Sequence, residues 1–140
     1  MSAVVIYESL TGNTKKAAGL IGNRLTAAGV PTTVCPITRI DYQALAAADL
    51  VIIGTWTDGI VIAGQRPGRA GRLRKLPSMA GKRCAVYCTY AVDAGRTLDK
   101  LTAIMEGRGA EVLGGMAIRR NRMEAGVKTF VGRLLDVVAV

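Results

Sequence analysis

Continuous apolar runs alternate along this chain with segments whose apolar residues recur every three or four positions. Ala3-Val4-Val5-Ile6-Tyr7 is β-branched and lacks polar alternation, which predicts a strand buried on both faces. Lys15 to Ala28 sets Ala17, Leu20, Ile21, Leu25 and Ala28 along one helical face, and Gly29 ends it. The pattern repeats with a strand over Thr32 to Ile37, a short helix over Asp41 to Ala48, and the most hydrophobic strand at Leu50-Val51-Ile52-Ile53. A long connection from Trp56 to Gly68 carries the turn signals Asp58-Gly59, Gly64 and Pro67-Gly68, and a basic helix follows over about Arg69 to Leu76. Cys84 to Cys88 reads as a fourth strand. Leu98, Leu101, Thr102 and Met105 form the inner face of a helix ending near Gly107-Arg108-Gly109, and Val112 to Ile118 is a fifth strand. Met123, Val127, Phe130, Val131, Leu134, Leu135 and Val138 trace an amphipathic closing helix.

Strands apolar on both faces and separated by helices predict an α/β domain: a doubly wound, open, five-stranded parallel sheet with helices on both faces. Right-handed crossovers leave few topologies, and the order 2-1-3-4-5 leads among them. Its binding crevice lies beyond the carboxyl ends of strands one and three, where loops 9–14 and 56–66 should meet. No repeat, linker or low-complexity segment divides the sequence, so a single domain over residues 1–140 is expected.

Composition narrows the chemistry. The chain has no His, which excludes Ser-His-Asp and Cys-His catalysis, His-ligated zinc and a histidine switch. Catalysis would therefore rest on a borrowed cofactor; no catalytic side chain and no metal-ligand set is assigned. Cys35, Cys84 and Cys88 form no Cys-x-x-Cys and sit in strand-like apolar runs, as buried packing thiols do. The apolar runs fall far short of the roughly 20 residues of a membrane span, and Met1 to Ile6 lacks a signal-peptide pattern, so a cytoplasmic location is expected. Lys and Arg number 19 against 10 Asp and Glu, a formal charge of +9 that favours acidic proteins, phosphate-bearing ligands or anionic lipid.

Ser9-Leu10-Thr11-Gly12-Asn13-Thr14 joins the first strand to the first helix with three hydroxyls, an amide and a glycine. Main-chain N–H groups at a helix N-terminus, with the helix dipole behind them, hold a phosphate without a cationic side chain. Ser9, Thr11 and Thr14 would add hydroxyl donors, and Gly12 permits the turn that aims the amides inward. Capping alone would need one such residue. The segment resembles the FMN-phosphate loop of flavodoxins, commonly [Ser/Thr]-x-Thr-Gly-x-Thr, and the order of elements is similar to short-chain flavodoxins along essentially the whole chain. The resemblance implies FMN as cofactor, with the isoalloxazine ring clasped by the segments after strands three and four. Thr55, Trp56, Thr57, Asp58 and Gly59 stand at the first position, Thr89 and Tyr90 at the second. Trp56, the one Trp in a chain with 4% aromatics, and Tyr90 would flank the ring. The resemblance further implies a peptide carbonyl that turns toward the reduced ring, at Thr57, where a β-branched residue would resist the turn, or, preferred here, at Asp58, where Gly59 makes it easy.

Two features depart from the family pattern. Thr89-Tyr90-Ala91-Val92-Asp93-Ala94-Gly95 replaces the Gly-rich acidic segment many flavodoxins carry, and Arg66, Arg69, Arg72, Arg74 and Lys75 fall within ten residues without an acid. Arg119, Arg120 and Arg122 form a second basic group. Nearby positive charge favours the anionic reduced flavin and raises its potential. The reading is an FMN-binding electron-transfer protein whose partner is an acidic redox protein or an NAD(P)H-linked reductase, with an anionic membrane surface as another docking surface. Nucleic acid has little support, given few aromatics and no further motif. A quinone- or NAD(P)H-linked flavin oxidoreductase, resembling flavodoxin-like protoporphyrinogen oxidase, and a flavin-free binding domain stay open. A phosphate-accepting receiver domain does not fit, because Glu8-Ser9 and Gly54-Thr55 stand where its acidic residues belong.

Overall fold

The computed structural model describes residues 1–59 and 64–138. Five parallel strands, β1 (Ala3–Tyr7), β2 (Thr32–Pro36), β3 (Leu50–Asp58), β5 (Arg83–Tyr90) and β6 (Glu111–Arg119), lie in the order β2-β1-β3-β5-β6. This is the expected 2-1-3-4-5 topology. One element is new: β4, only Arg66–Pro67, pairs antiparallel with the end of β3, Thr57 opposite Pro67 and Asp58 opposite Arg66.

The strand period of two separates the core into layers. Val5, Leu50, Ile52, Ala85 and Tyr87 face α1 (Asn13–Ala27) and α5 (Met123–Val138), meeting Ile21, Leu25, Phe130 and Val131. Their sequence neighbours Val4, Ile6, Val51, Ile53, Cys84 and Val86 face the other way, toward α2 (Tyr42–Ala47), α3 (Ala70–Arg74) and α4 (Thr97–Gly107), whose Leu45, Leu73, Leu101 and Met105 are buried there. Helices on both faces explain why these strands read as unbroken apolar runs.

The differences from expectation fall at the carboxyl ends of the strands. β3 continues to Asp58, beyond the expected Leu50–Ile53 run, because Trp56 pairs with Thr89 of β5 and Thr57 and Asp58 pair with β4. Thr55, Trp56, Thr57 and Asp58 are thus strand residues, and the long connection is a hairpin. Its residues 60–63, part of the expected 56–66 loop, lie outside the described residues. Thr89 and Tyr90 likewise close β5, and Asn13 and Thr14 open α1 rather than belonging to the loop. The basic helix is five residues long.

Candidate functional site

The crevice is built where β1, β3 and β5 end side by side. A cavity of about 170 Å³ there is lined by Leu10, Thr11, Asn13 and Thr14 from the first connection, Trp56 and Thr57 from β3, Thr89, Tyr90 and Ala91 from β5, and Arg120. Loop 9–14 and the end of β3 therefore meet as the topology requires. One wall is anchored in the core: the Thr14 and Thr89 hydroxyls are 2.8 Å apart and buried, and the Tyr87 hydroxyl donates to the Thr14 carbonyl at 3.0 Å. Tyr87 lies over Gly54, where a Cβ would land inside its ring, so glycine at 54 lets the tyrosine reach the helix start.

The loop presents amides to one point. Gly12 adopts the left-handed conformation, φ 98°, and provides no side-chain cap for α1. The N–H groups of Gly12 and Lys15 both donate to Ser9 Oγ, at 3.1 and 3.4 Å, so the turn converges on an oxygen acceptor. Ser9 thereby takes the capping role. Asn13 Nδ2 donates to Thr11 Oγ1 at 3.3 Å. Among the described residues the main-chain N–H groups of Asn13 and Thr14 have no protein acceptor. These amides, with the α1 dipole behind them, fit a phosphate.

The opposite wall is built on Trp56 and Thr57. Trp56 is half-buried, held by the hydrogen bond from Gly68 N–H to its carbonyl at 2.8 Å, with Gly68 against its indole and the Arg69 guanidinium 5.5 Å from its ring centroid. The Thr57 hydroxyl is buried without a hydrogen-bond partner among the described residues; its polar neighbour is the Cys88 thiol, a weak acceptor. Burial pushes that thiol up to about 11, with Thr57 acting in the opposite direction. Cys84 is pushed up to about 12 by burial, and all three cysteines are free and buried, in keeping with packing roles.

Five expected site residues do not line the cavity: Ser9 and Gly12 shape the turn beside it, and Thr55, Asp58 and Gly59 belong to the hairpin. Thr55 is buried and donates to the Gly68 carbonyl at 2.8 Å, so its hydroxyl holds the hairpin. The Asp58 carboxylate turns away from the cavity to Arg66, 3.4 Å distant. Gly59, at φ 97°, makes the turn; a Cβ there would strike the Gly64 carbonyl. Sequence reasoning missed Ala91, which has no signal, and assigned Arg120 only to docking, although it directly follows β6 at the crevice edge. It also passed over Glu8, a buried carboxylate receiving Arg69 at 2.8 Å and Arg72 at 3.1 Å. Among the described residues no cluster of acids and cysteines could hold a metal, and no helix is long and apolar enough to cross a membrane.

The family model of the flavodoxin domain matches residues 4–131. No curated protein is a significant sequence match. Among solved structures, a cysteine-to-serine mutant of flavodoxin from Pseudomonas aeruginosa shares 16% identity at a TM-score of 0.76, with 100% of both chains covered. Oxidised flavodoxin 1 from Bacillus cereus shares 21% at 0.70, covering 97% of this chain and 98% of its own. Rubredoxin oxygen:oxidoreductase from the anaerobe Desulfovibrio gigas shares 17% at 0.67, covering 99% of this chain and 37% of that one. The chain belongs to the flavodoxin domain family.

Proposed function

We propose that this flavodoxin-domain protein binds FMN non-covalently and acts as an electron carrier, the whole of residues 1–140 forming one flavin domain. The observation that carries the reading is the cavity itself, which brings together Asn13 and Thr14, whose amides have no protein acceptor among the described residues, with Trp56 and Tyr90. When bound, FMN supplies reversible one- and two-electron chemistry; the chain positions it and sets its electrostatics. Ser9, Leu10, Thr11, Gly12, Asn13 and Thr14 would hold the phosphate through the main-chain amides and hydroxyls of this turn, whose Gly12 and Lys15 N–H groups already converge on an oxygen, Ser9 Oγ. Trp56 and Tyr90 flank the ring and exclude water, and the Thr57 hydroxyl gains the polar partner it lacks. No side chain serves as acid or base, in agreement with a chain that has no His.

The partner of this reading is an acidic redox protein or NAD(P)H-linked reductase in the cytoplasm, drawn by the exposed Arg66, Arg69, Arg72 and Arg74. A second reading, a flavin oxidoreductase, draws on the Desulfovibrio gigas oxidoreductase, in which this fold forms part of a longer chain. The test is an absorbance and tryptophan-fluorescence titration with FMN. Flavin bands that co-purify, or Trp56 quenching that saturates, support binding; unchanged signals reject it. Turnover of NAD(P)H or quinone by the isolated holoprotein would favour the enzyme over the carrier.

A further inference from the structure

A second concavity, larger than the crevice, lies on the other side of the hairpin. It is a cavity of about 920 Å³ between the β3–β4 hairpin, α3 and α4. Its charged lining is Arg66, Arg69, Arg74, Lys100 and Arg108 against the single acid Asp58. The hairpin stands between the two cavities: Trp56 and Thr57 line the crevice, whereas Asp58 and Arg66 line this one.

Internal pairing leaves a positive surplus. Asp58 meets Arg66, Glu8 meets Arg69, and Lys100 Nζ donates to the Gln65 carbonyl at 2.9 Å. Among the described residues Arg74 and Arg108 have no carboxylate within salt-bridge distance. Like charges facing one concave space raise a positive potential that an anion relieves, and guanidinium forks match phosphate oxygens. Between these cations Pro67, Ala70, Ala103 and Ile104 supply an apolar floor. A carboxylate from a docked protein would use the charge but leave that floor and most of the volume unfilled. A planar base with attached phosphates uses both, and the volume lies in the range of small-ligand sites.

We propose that this cavity is a second binding site, separate from the flavin crevice, that takes a phosphate-bearing nucleotide, its phosphates on Arg74 and Arg108 and its base on the Ala70–Ile104 floor. The site stands whether or not FMN occupies the crevice. The test is calorimetric titration of the purified protein with adenosine 2′,5′-bisphosphate, with and without FMN, using adenosine and inorganic pyrophosphate as comparators. Expected is saturable one-to-one binding of the bisphosphate that FMN leaves unchanged, with both comparators weaker. R74E changes an exposed residue with no side-chain hydrogen bond or salt bridge to another described residue, and should weaken the bisphosphate by about tenfold or more while FMN titrates as before. Absence of saturable binding, equal affinity in R74E, or displacement by FMN would overturn the site. Pyrophosphate binding as tightly as the bisphosphate would overturn the nucleotide assignment.

Discussion

Glu8 offers a change of sign that follows from burial alone. Its side chain is 4% exposed, whereas its partners Arg69 and Arg72 are 41% and 49% exposed. Replacing Glu8 by Gln keeps the shape and removes the charge. The two guanidiniums then lose charge-assisted bonds yet retain water, so the loss should be modest, about 1–2 kcal/mol. Truncating both arginines strands a buried carboxylate. That loss should be larger, about 3 kcal/mol, the lower end for broken buried pairs because removing the arginines admits some water. In the R69A/R72A background, E8Q should therefore stabilise, by about 1–2 kcal/mol, where in the wild type it destabilises. Urea unfolding of the four proteins, compared at constant slope, measures each difference. Arg69 also sits over Trp56, but that contribution is common to both members of the second pair and cancels. If E8Q destabilises equally in both backgrounds, the buried-charge reasoning is wrong.

Gly68→Ala should drive a methyl into the Trp56 indole, lower stability by about 1–3 kcal/mol and shift tryptophan emission; an unchanged spectrum and urea midpoint would contradict the packing. Cys84 and Cys88 titrate near 12 and 11 when folded against an ordinary value of 9.0, so they hold protons that the unfolded chain releases. Stability is full below that ordinary value and falls as pH rises from it to each folded value, by at most about 1.4 kcal/mol per pH unit for each thiol. Urea midpoints at rising pH should show the fall, and C88A should reduce its slope; a flat profile would refute the burial. Arg120→Ala should weaken FMN about threefold to tenfold, an effect that shrinks with added salt, and leave riboflavin unchanged, since an exposed cation at the loop acts on the phosphate. Equal losses for both flavins would assign Arg120 to the ring or to the fold.

Topology was legible because burial on two faces leaves an unmistakable trace. Val4-Val5-Ile6 and Leu50-Val51-Ile52-Ile53 have no polar alternation, and only a sheet covered on both sides explains that. The glycine-hydroxyl connection at 9–14 was legible because its composition exceeds what one helix cap requires. The ends of β3 and β5 were not. Thr55-Trp56-Thr57-Asp58 carries no apolar run, and it is strand because partners at Thr89, Pro67 and Arg66 supply the ladder. Such pairing depends on residues distant in sequence, which local periodicity does not register. The inward turn of Thr55 toward Gly68 and the collection of Arg69 and Arg72 by Glu8 are equally non-local.

The hairpin is where these non-local choices become functional. Its two-residue β4 would be too short to hold alone. It is fixed instead by Thr55 donating to the Gly68 carbonyl, by Gly68 closing on Trp56, and by Arg69 reaching both the Trp56 ring and the Glu8 carboxylate. Glu8 immediately precedes the 9–14 loop, so one carboxylate joins the amide end of the crevice to its aromatic end. The same arginine-rich segment turns its remaining charge outward, toward the larger cavity. A ligand that drew Arg69 away from Glu8 would loosen the support of both Trp56 and the loop, whereas one bound through Arg74 and Arg108 would leave that support intact. The placement of the unpaired cations at 74 and 108, away from the Glu8 clamp, therefore permits an anion beside the hairpin without disturbing the crevice behind it.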